Sequence, residues 1–372
     1  MLAVLLSHLP FVMRSGEGYP RWVQMSLEYG AHGVNLFLVL SGFCIHMAWA
    51  RAATTSSRPP AFTAFWKRRL RRLYPPYFVA LLLTVAGLYV FHGVLRHEGP
   101  GLVQRFGYAS GAQLAIDLVF LVLLLQNLNE ASDRIGNGPF WSLALEEQLY
   151  LLYFPLLWMR RTIGWPRTLV LVLVVTLGFR LGAVLWAPDH LGVFLRVGPA
   201  RWFEWALGAL AVEIHMKRVQ VPRVFSSGLL GLLVLGATIA IDHHMRWTGP
   251  NVVAAHGLSW GGAPYLVGDV ANDSLFGIGF FLVMNAACAH DWGNKTRPAL
   301  ALAWVGIFSY SLYLTHQLAL VPAKEIAFRL GLGMVPVSVA RLVVPIAVGW
   351  VFFKLVERHF LTASRASRST SA

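Results

Sequence analysis

Two adjacent carboxylates lie inside a strongly apolar stretch of this sequence. The segment 141–154 reads WSLALEEQLYLLYF, so Glu146 and Glu147 interrupt a run of mostly apolar and aromatic side chains. Ionisable groups at membrane depth are unfavourable and usually mark a functional site or face a wet cavity. On a helix, Glu146 lies one turn before Tyr150, whereas Glu147 points about 100° away. Two roles are therefore open for Glu146, a buried structural acceptor or a catalytic carboxylate.

Histidines in two other apolar segments supply the remaining groups for general acid–base chemistry. His8 lies in the segment that starts the chain, and His316 lies in SYSLYLTHQ near the other end. An imidazole can take a proton from a hydroxyl group and return it to a leaving group, and a carboxylate can hold its tautomer. The alternative for each histidine is a hydrogen-bonded role in helix packing. If the three segments bring these groups to one depth, the sequence predicts acyl-transfer chemistry.

A run of basic residues in FWKRRLRRLYPPY directly precedes another apolar segment. Guanidinium groups bind phosphate through paired, charge-assisted hydrogen bonds, so the run could hold a nucleotide-bearing cofactor. A basic run beside a span also fixes topology and binds anionic lipid, and this alternative stays open. Pro75 and Pro76 are predicted to break the interfacial segment and to start the next span. The basic residues are Lys67, Arg68, Arg69, Arg71 and Arg72.

Small residues near the middle of the second apolar segment indicate a close approach of helices. Ser41 and Gly42 occur there in GVNLFLVLSGFCIHM. Small side chains let helices pack closely, or they leave a narrow passage for a pantetheine-like arm. Arg201 and Glu204 are three residues apart, which predicts a structural ion pair along one helix face.

The composition identifies a polytopic membrane protein. Of the 372 residues, 56% are hydrophobic and 13% are charged, and the mean hydropathy is +0.58. This is too apolar for a soluble domain of that length. The net charge of +14 does not predict a nucleic-acid partner, because Lys and Arg fall mostly between apolar segments, as the positive-inside rule expects. The two cysteines lie far apart in apolar segments and predict neither a disulfide nor a metal site.

The distribution of basic residues predicts the topology. The connection 51–75 contains seven basic and no acidic residues, which places it in the cytoplasm. The basic turn at Arg160 and Arg161 belongs on the same side, so one of the three apolar segments between these points does not cross. We expect this to be 112–128, which is short and contains Asp117. The candidate segments are 1–13, 30–50, 76–95, 112–128, 140–159, 168–187, 200–216, 226–242, 272–290, 300–322 and 336–357.

The predicted fold class is all-α. We expect a polytopic membrane helix bundle of about ten transmembrane helices plus one short re-entrant or interfacial segment. Residues 1–372 are predicted to form a single integral-membrane domain with both termini in the cytoplasm, the last 14 residues being a cytoplasmic tail.

These segments resemble acyltransferase family 3, and they occur in the family's order along essentially the whole chain. The membrane proteins of this family O-acylate sugars on lipopolysaccharides, exopolysaccharides and some small glycosides. The resemblance rests on His8, GVNLFLVLSGFCI, RLYPPY, WSLALEEQLYLLYFPLL, FEWALGALA and SYSLYLTH. It implies ten membrane helices in a bacterial inner membrane, surrounded by membrane lipids. It also implies a cytoplasmic acyl-CoA as donor, with no permanently bound cofactor and no metal. The acceptor would be a hydroxyl of a sugar, glycan or glycolipid on the outer side.

The family's first-span motif pairs an arginine with a histidine eleven positions later. Counting back from His8 passes the start of the sequence before such an arginine is reached. Because the first apolar segment is also shorter than a bilayer requires, we expect the first helix to be truncated.

These residues predict a mechanism. The basic run 67–72 holds the CoA phosphates while the thioester passes the small residues of the second segment. His8 then acts as base on the acceptor hydroxyl, or is transiently acylated. Glu146 orients His8 or stabilises its charged form. His316 assists His8 or lines the acceptor site. The residues expected to contact the acceptor are Trp141, Glu147, Tyr150 and Tyr313.

The main alternative is a transporter or flippase for a glycolipid or an acyl-bearing small molecule, in which buried charges bind the cargo. Transporters often contain internal repeats, and the sequence shows none. A membrane scaffold or sensor would leave the carboxylates and histidines without a role.

Overall fold

The computed structural model describes residues 1–9, 18–54, 61–90, 108, 110–129, 138–255, 268–290 and 296–361. This part of the chain is all-α, as predicted. In chain order the helices are α1 (Leu2–Ser7), α2 (Arg21–Glu28), α3 (Gly33–Thr54), α4 (Phe62–Val90), α5 (Gly111–Val122), α6 (Phe140–Trp186), α7 (Leu191–Phe194), α8 (Trp202–His215), α9 (Gly228–Ala255), α10 (Asp273–His290), α11 (Arg297–Ile307), α12 (Ser309–Arg329) and α13 (Met334–Phe352). The predicted first span beyond residue 9 and the predicted tail beyond residue 361 lie outside the described residues.

The chain divides into two compact units. Unit 1 comprises Met1–Ala31, Pro60–Leu143 and Arg297–Ala372, and it contains α1, α2, α4, α5 and α11 to α13. Unit 2 comprises His32–Pro59 and Ala144–Thr296, and it contains α3, most of α6 and α7 to α10.

Several helices are long and apolar enough to cross a membrane. Among the described residues there are four such segments, or five if the bent pair α11 and α12 forms one span. The protein is therefore an integral membrane protein, whereas the number of about ten crossings stays a prediction. The four segments are Arg21–Thr54, Phe140–Trp186, Val270–His290 and Met334–Leu361.

The 47 residues of α6 form two arms rather than one rod. Gly164 has φ 77° and ψ 167°, a conformation that glycine adopts readily and that interrupts the helix. The side chain of Gln148 accepts a hydrogen bond from the amide of Gly198 at 2.8 Å, and Thr176 donates to the carbonyl of Pro199 at 3.1 Å. In a straight helix, positions 148 and 176 would be about 42 Å apart. The chain must therefore double back at Gly164, as two predicted spans joined by a basic turn require.

Helices α3 and α8 touch through glycines. A Cβ atom on Gly42 would lie 2.0 Å from the carbonyl oxygen of Trp205, and one on Gly208 would lie 1.9 Å from that of Val39. Such a reciprocal backbone contact is the arrangement that small residues permit between membrane helices. Packing is thus the role that the structure shows for Gly42, and passage of a pantetheine arm beside it stays a prediction.

Helix α5 is too short to cross a bilayer. Its 12 residues span about 18 Å, against about 30 Å of hydrocarbon. The buried carboxylate of Asp117 accepts hydrogen bonds from the Tyr108 hydroxyl at 2.6 Å and from the Asn129 side chain at 3.0 Å. This agrees with the prediction that this segment is the one that does not cross.

The predicted break at Pro75 and Pro76 is wrong. Helix α4 continues through both prolines from Phe62 to Val90. Proline removes a helical hydrogen bond, but neighbouring elements can support the weakened turn in a membrane protein. Here Tyr77 donates to the carbonyl of Leu121 at 2.6 Å, and Tyr310 donates to the carbonyl of Leu73 at 2.8 Å.

The predicted span 300–322 is not one straight helix, because α11 and α12 are bent by 78° relative to each other. That the pair makes a single crossing stays a prediction. The break falls at Phe308, whose side chain is fully buried. Its ring lies 4.9 Å from that of Trp304 and 5.4 Å from that of Trp350, measured between centroids. The bend is therefore packed against an aromatic residue of α13, far along the chain.

Replacing Gly208 with Ala should destabilise the protein by about 1–3 kcal/mol, because the added methyl group overlaps the backbone of α3. Gly236 on α9 is the matched control, since a Cβ atom there meets nothing within 4 Å. Gly236→Ala should leave the stability unchanged or raise it by up to about 1 kcal/mol. Unfolding of both variants in detergent would be followed by tryptophan fluorescence. Equal stabilities would contradict the close contact between α3 and α8.

Candidate functional site

Unit 1 brings His8 and His316 together. Their ring centroids lie 5.5 Å apart, although the residues come from opposite ends of the chain. His316 is fully buried, and its Nδ1 lies 2.9 Å from the carbonyl oxygen of Tyr313. A carbonyl only accepts, so Nδ1 carries the proton and Nε2 holds a lone pair. Among the described residues, this Nε2 has no hydrogen-bond partner. Nε2 is therefore the ring atom of His316 that can accept a hydrogen bond from an acceptor hydroxyl.

His8 is held by two side chains that sequence reasoning missed. Its Nε2 lies 3.5 Å from the side-chain nitrogen of Gln317. Arg341 donates to the carbonyl of His8 at 2.5 Å and to that of Leu9 at 3.1 Å. A signal was present in each case, since Gln317 follows His316 and Arg341 is the one charge in MVPVSVARLVVPIAVGWVF. Neither signal indicates that the residue contacts His8, which is more than 300 residues away in the sequence.

Tyr313 belongs to the same group of side chains. Its ring centroid lies 5.8 Å from that of His316. Its hydroxyl donates to the carbonyl of Pro139 at 3.0 Å and also hydrogen-bonds the hydroxyl of Ser142. Trp141, another predicted acceptor contact, is partly buried beside Ser142 at the start of α6. Contact of either residue with an acceptor stays a prediction.

Unit 2 holds Glu146 in a buried hydrogen-bond cluster. Its Oε1 accepts a hydrogen bond from Ser41 at 2.7 Å and another from the Tyr150 hydroxyl one turn later. The indole of Trp205 in turn donates to the Ser41 oxygen at 3.3 Å. These two hydroxyl donors use both lone pairs of this oxygen, so its hydrogen bonds are made within the cluster. Glu147, by contrast, is only partly buried. The predicted contact of Glu146 with His8 stays a prediction, as does a catalytic role for Glu146.

The predicted phosphate-binding run lies on α4 in unit 1. The guanidinium group of Arg69 lies over the ring of Phe65, one turn earlier in the same helix, with its central carbon 5.8 Å from the ring centroid. Lys67, Arg71 and Arg72 are exposed. Exposed cations on one helix leave both predicted roles open, phosphate binding and membrane topology.

Unit 2 has a cluster of ion pairs at each of its two ends. At one end, Asp273 pairs with Arg201 and, at 2.8 Å, with Arg180; the Asn35 amide donates to the same carboxylate at 2.9 Å. Arg201 also pairs with Glu204 at 3.5 Å, which confirms the predicted ion pair. This end thus joins the starts of α3, α8 and α10 to the end of α6.

At the other end, Glu213 is the central carboxylate. His46 lies 2.7 Å from it, Arg160 3.0 Å and Arg218 3.1 Å. Both guanidinium groups also stack on Trp49, at 4.4 Å and 5.2 Å from the ring centroid. This end joins the last turns of α3 and α8 to the end of the first arm of α6. Consequently α3, that arm and α8 all run in the same direction. Sequence reasoning did not identify this cluster.

In the described ranges, no group of three or more His, Cys, Asp or Glu side chains is arranged to hold a metal ion.

Comparison with known proteins places this arrangement in a family. The profile of a family described as an acyltransferase domain matches residues 1–354, nearly the whole chain. The chain belongs to acyltransferase family 3. Family membership thus confirms the resemblance drawn from His8, the paired carboxylates and the segment around His316.

Curated relatives of this acyltransferase-family chain are O-acetyltransferases and polysaccharide-production proteins. It is 23% identical to the peptidoglycan O-acetyltransferase OatA of Listeria monocytogenes, over 85% of this chain and 47% of OatA. It is 25% identical to the exopolysaccharide production protein ExoZ of Rhizobium meliloti, over 92% of this chain and 93% of ExoZ. It is 30% identical to the acyltransferase MdmB of Streptomyces mycarofaciens, over 61% of this chain and 57% of MdmB. The chain therefore spans about half of OatA. No solved structure matches it.

Removing the Glu213 carboxylate should destabilise this family member strongly. Glu213→Ala leaves Arg160 and Arg218 next to each other without their counter-charge, which costs about 3–5 kcal/mol for a buried pair. Glu325→Ala is the matched control, because Glu325 pairs with Arg329 at 3.0 Å on a partly exposed helix face. That exposed pair contributes less than about 1 kcal/mol. The free energies of unfolding in mixed micelles would be compared, and a loss as small as that of the control would refute the central role of Glu213.

Proposed function

We propose that this protein is a membrane-bound O-acyltransferase. It moves an acyl group, most simply acetyl, from cytoplasmic acyl-CoA to a hydroxyl of a sugar, glycan or glycolipid on the extracytoplasmic side. The observation that carries the proposal is the buried His316 beside His8, with its Nε2 lone pair available, in a chain of acyltransferase family 3. The names of OatA and ExoZ support a polysaccharide acceptor.

The proposed chemistry needs one proton carrier. The imidazole of His8 accepts the proton of the acceptor hydroxyl while the hydroxyl oxygen attacks the thioester carbonyl. The carbon–sulfur bond then breaks, and the imidazolium returns the proton to the departing CoA thiolate. Ester and free CoA are the products, and the imidazole is regenerated. A covalent variant, in which His8 carries the acyl group between donor and acceptor, uses the same residues.

The sidedness of the proposal rests on charge. The end of unit 2 that contains the Glu213 cluster also carries Arg51, Arg161, Lys217 and Arg223. Short basic connections stay in the cytoplasm by the positive-inside rule. We therefore propose that this end faces the cytoplasm, that the Asp273 end faces outward, and that both termini are cytoplasmic in a bacterial inner membrane. The hairpin of α6 supplies two of the proposed ten crossings.

Donor binding is proposed for the basic residues 67–72 of α4. Lys67, Arg71 and Arg72 are exposed on this helix, which allows them to reach the phosphates of CoA at the cytoplasmic surface. A transporter or flippase is the weaker alternative, because the family and relatives such as OatA and MdmB are named for acyl transfer.

His8→Ala should abolish acceptor-dependent ester formation, because general acid–base catalysis contributes about 10²–10⁴-fold. The measurement is ester formation and release of free CoA by the purified protein, supplied with labelled acetyl-CoA and candidate glycans. His359→Ala is the matched control, since His359 is an exposed histidine beyond α13. A carrier would move label across a vesicle without forming ester. Full turnover by His8→Ala would reject the proposed role of this histidine.

Glu146→Gln and Glu147→Gln should separate the two carboxylates. Glu146 is buried among hydroxyl donors, so its amide variant should lower kcat by at least about tenfold. Glu147 is only partly buried, so its variant should instead raise the KM for the acceptor. Initial rates at varied donor and acceptor concentrations would give both constants. Identical kinetics for the two variants would show that burial does not distinguish their roles.

A further inference from the structure

The N-terminal helix α1 needs external support to hold His8 in place. It has six residues, Leu2–Ser7, and ends at His8. The last carbonyl groups of a helix lack helical partners and must be satisfied by groups outside the helix. The position of the His8 imidazole therefore depends on whatever binds the end of α1.

Arg341 supplies that support. It is buried on α13, and its two terminal nitrogens donate to the carbonyls of His8 and Leu9. A guanidinium group can bond two carbonyls at once in fixed geometry, and its charge interacts favourably with the negative end of a helix dipole. The contact thus fixes both the place and the direction of the backbone at His8.

We propose that Arg341 is a positioning residue for His8 in acyl transfer. This inference rests on the proposed function. Arg341 bonds the backbone of His8 and leaves the imidazole free, whereas Gln317 approaches the ring itself. A displacement of a reacting group by about 1 Å can reduce a rate about 10²-fold. Loss of the Arg341 contact therefore disturbs catalysis through His8, without removing a group that touches the reactants.

The test compares Arg341→Met, Arg341→Lys and a control variant. Methionine keeps much of the side-chain length but donates no hydrogen bond, so kcat should fall at least about tenfold while both KM values change less than twofold. Lysine retains the charge and a donor but not the fork, so its kcat should lie between those of Met and wild type. Arg329→Met removes an arginine from the partly exposed pair on α12 and should match wild type.

A second readout separates positioning from a loss of folded protein. The ratio of ester formed to CoA released is independent of the active fraction. A misplaced base should favour attack by water, which is small and mobile, over attack by the bulky acceptor hydroxyl. The ratio should therefore fall in Arg341→Met and recover partly in Arg341→Lys. An unchanged ratio would overturn the inference, even if the total rate fell.

His8→Ala serves as the reference for the proposed function. If His8→Ala is active, the proposed function loses its base and the positioning role fails with it. If His8→Ala is inactive and Arg341→Met has wild-type kcat and product ratio, only the positioning role is wrong. If Arg341→Met does not yield folded protein, Arg341→Lys decides, since the proposal requires a lower kcat and a lower ratio there as well.

Discussion

The structure depends on one constraint, that a buried polar group in an apolar environment must be paired. An unpaired buried charge is strongly destabilising, so buried ions in proteins are found with partners. In unit 2 the two carboxylates at its ends, Asp273 and Glu213, each gather two arginines. These pairs join helix ends that are distant in sequence. His316 is one of several side chains with an exception to this rule, because its Nε2 is buried without a hydrogen-bond partner among the described residues.

Helix α3 links the two ion clusters of unit 2 to the carboxylate between them. Asn35 contacts Asp273, Ser41 contacts Glu146, and His46 contacts Glu213. These three positions on α3 are separated by about 9 Å and about 8 Å along the helix axis. The glycine contacts with α8 hold the same stretch of α3 from one side. Glu146 is therefore held at a defined height by a helix that is fixed at both ends, which is the kind of rigid support a functional carboxylate requires.

Local signals in the sequence predicted features that depend on local chemistry. Hydropathy predicted an all-α membrane protein, and the basic turn before Gly164 predicted that the two arms of α6 are separate spans. The three-residue spacing predicted the ion pair between Arg201 and Glu204. Long-range contacts decided the rest. The bend at Phe308 packs against Trp350. The continuity of α4 through its prolines is supported by residues far along the chain. Gln317 and Arg341 were missed for the same reason, because a single sequence does not show which side chain meets His8.

The support for the histidine pair comes from the C-terminal helices of unit 1. Helices α12 and α13 pack so closely that a Cβ atom on Gly349 would lie 2.8 Å from the Cα of Leu312. His316 and Gln317 lie on the first of these helices and Arg341 on the second. Sites built on packed helices are positioned more accurately than sites on loops. The end of α1 is docked on this pair through Arg341, so the packed helices set the position of the His8 backbone.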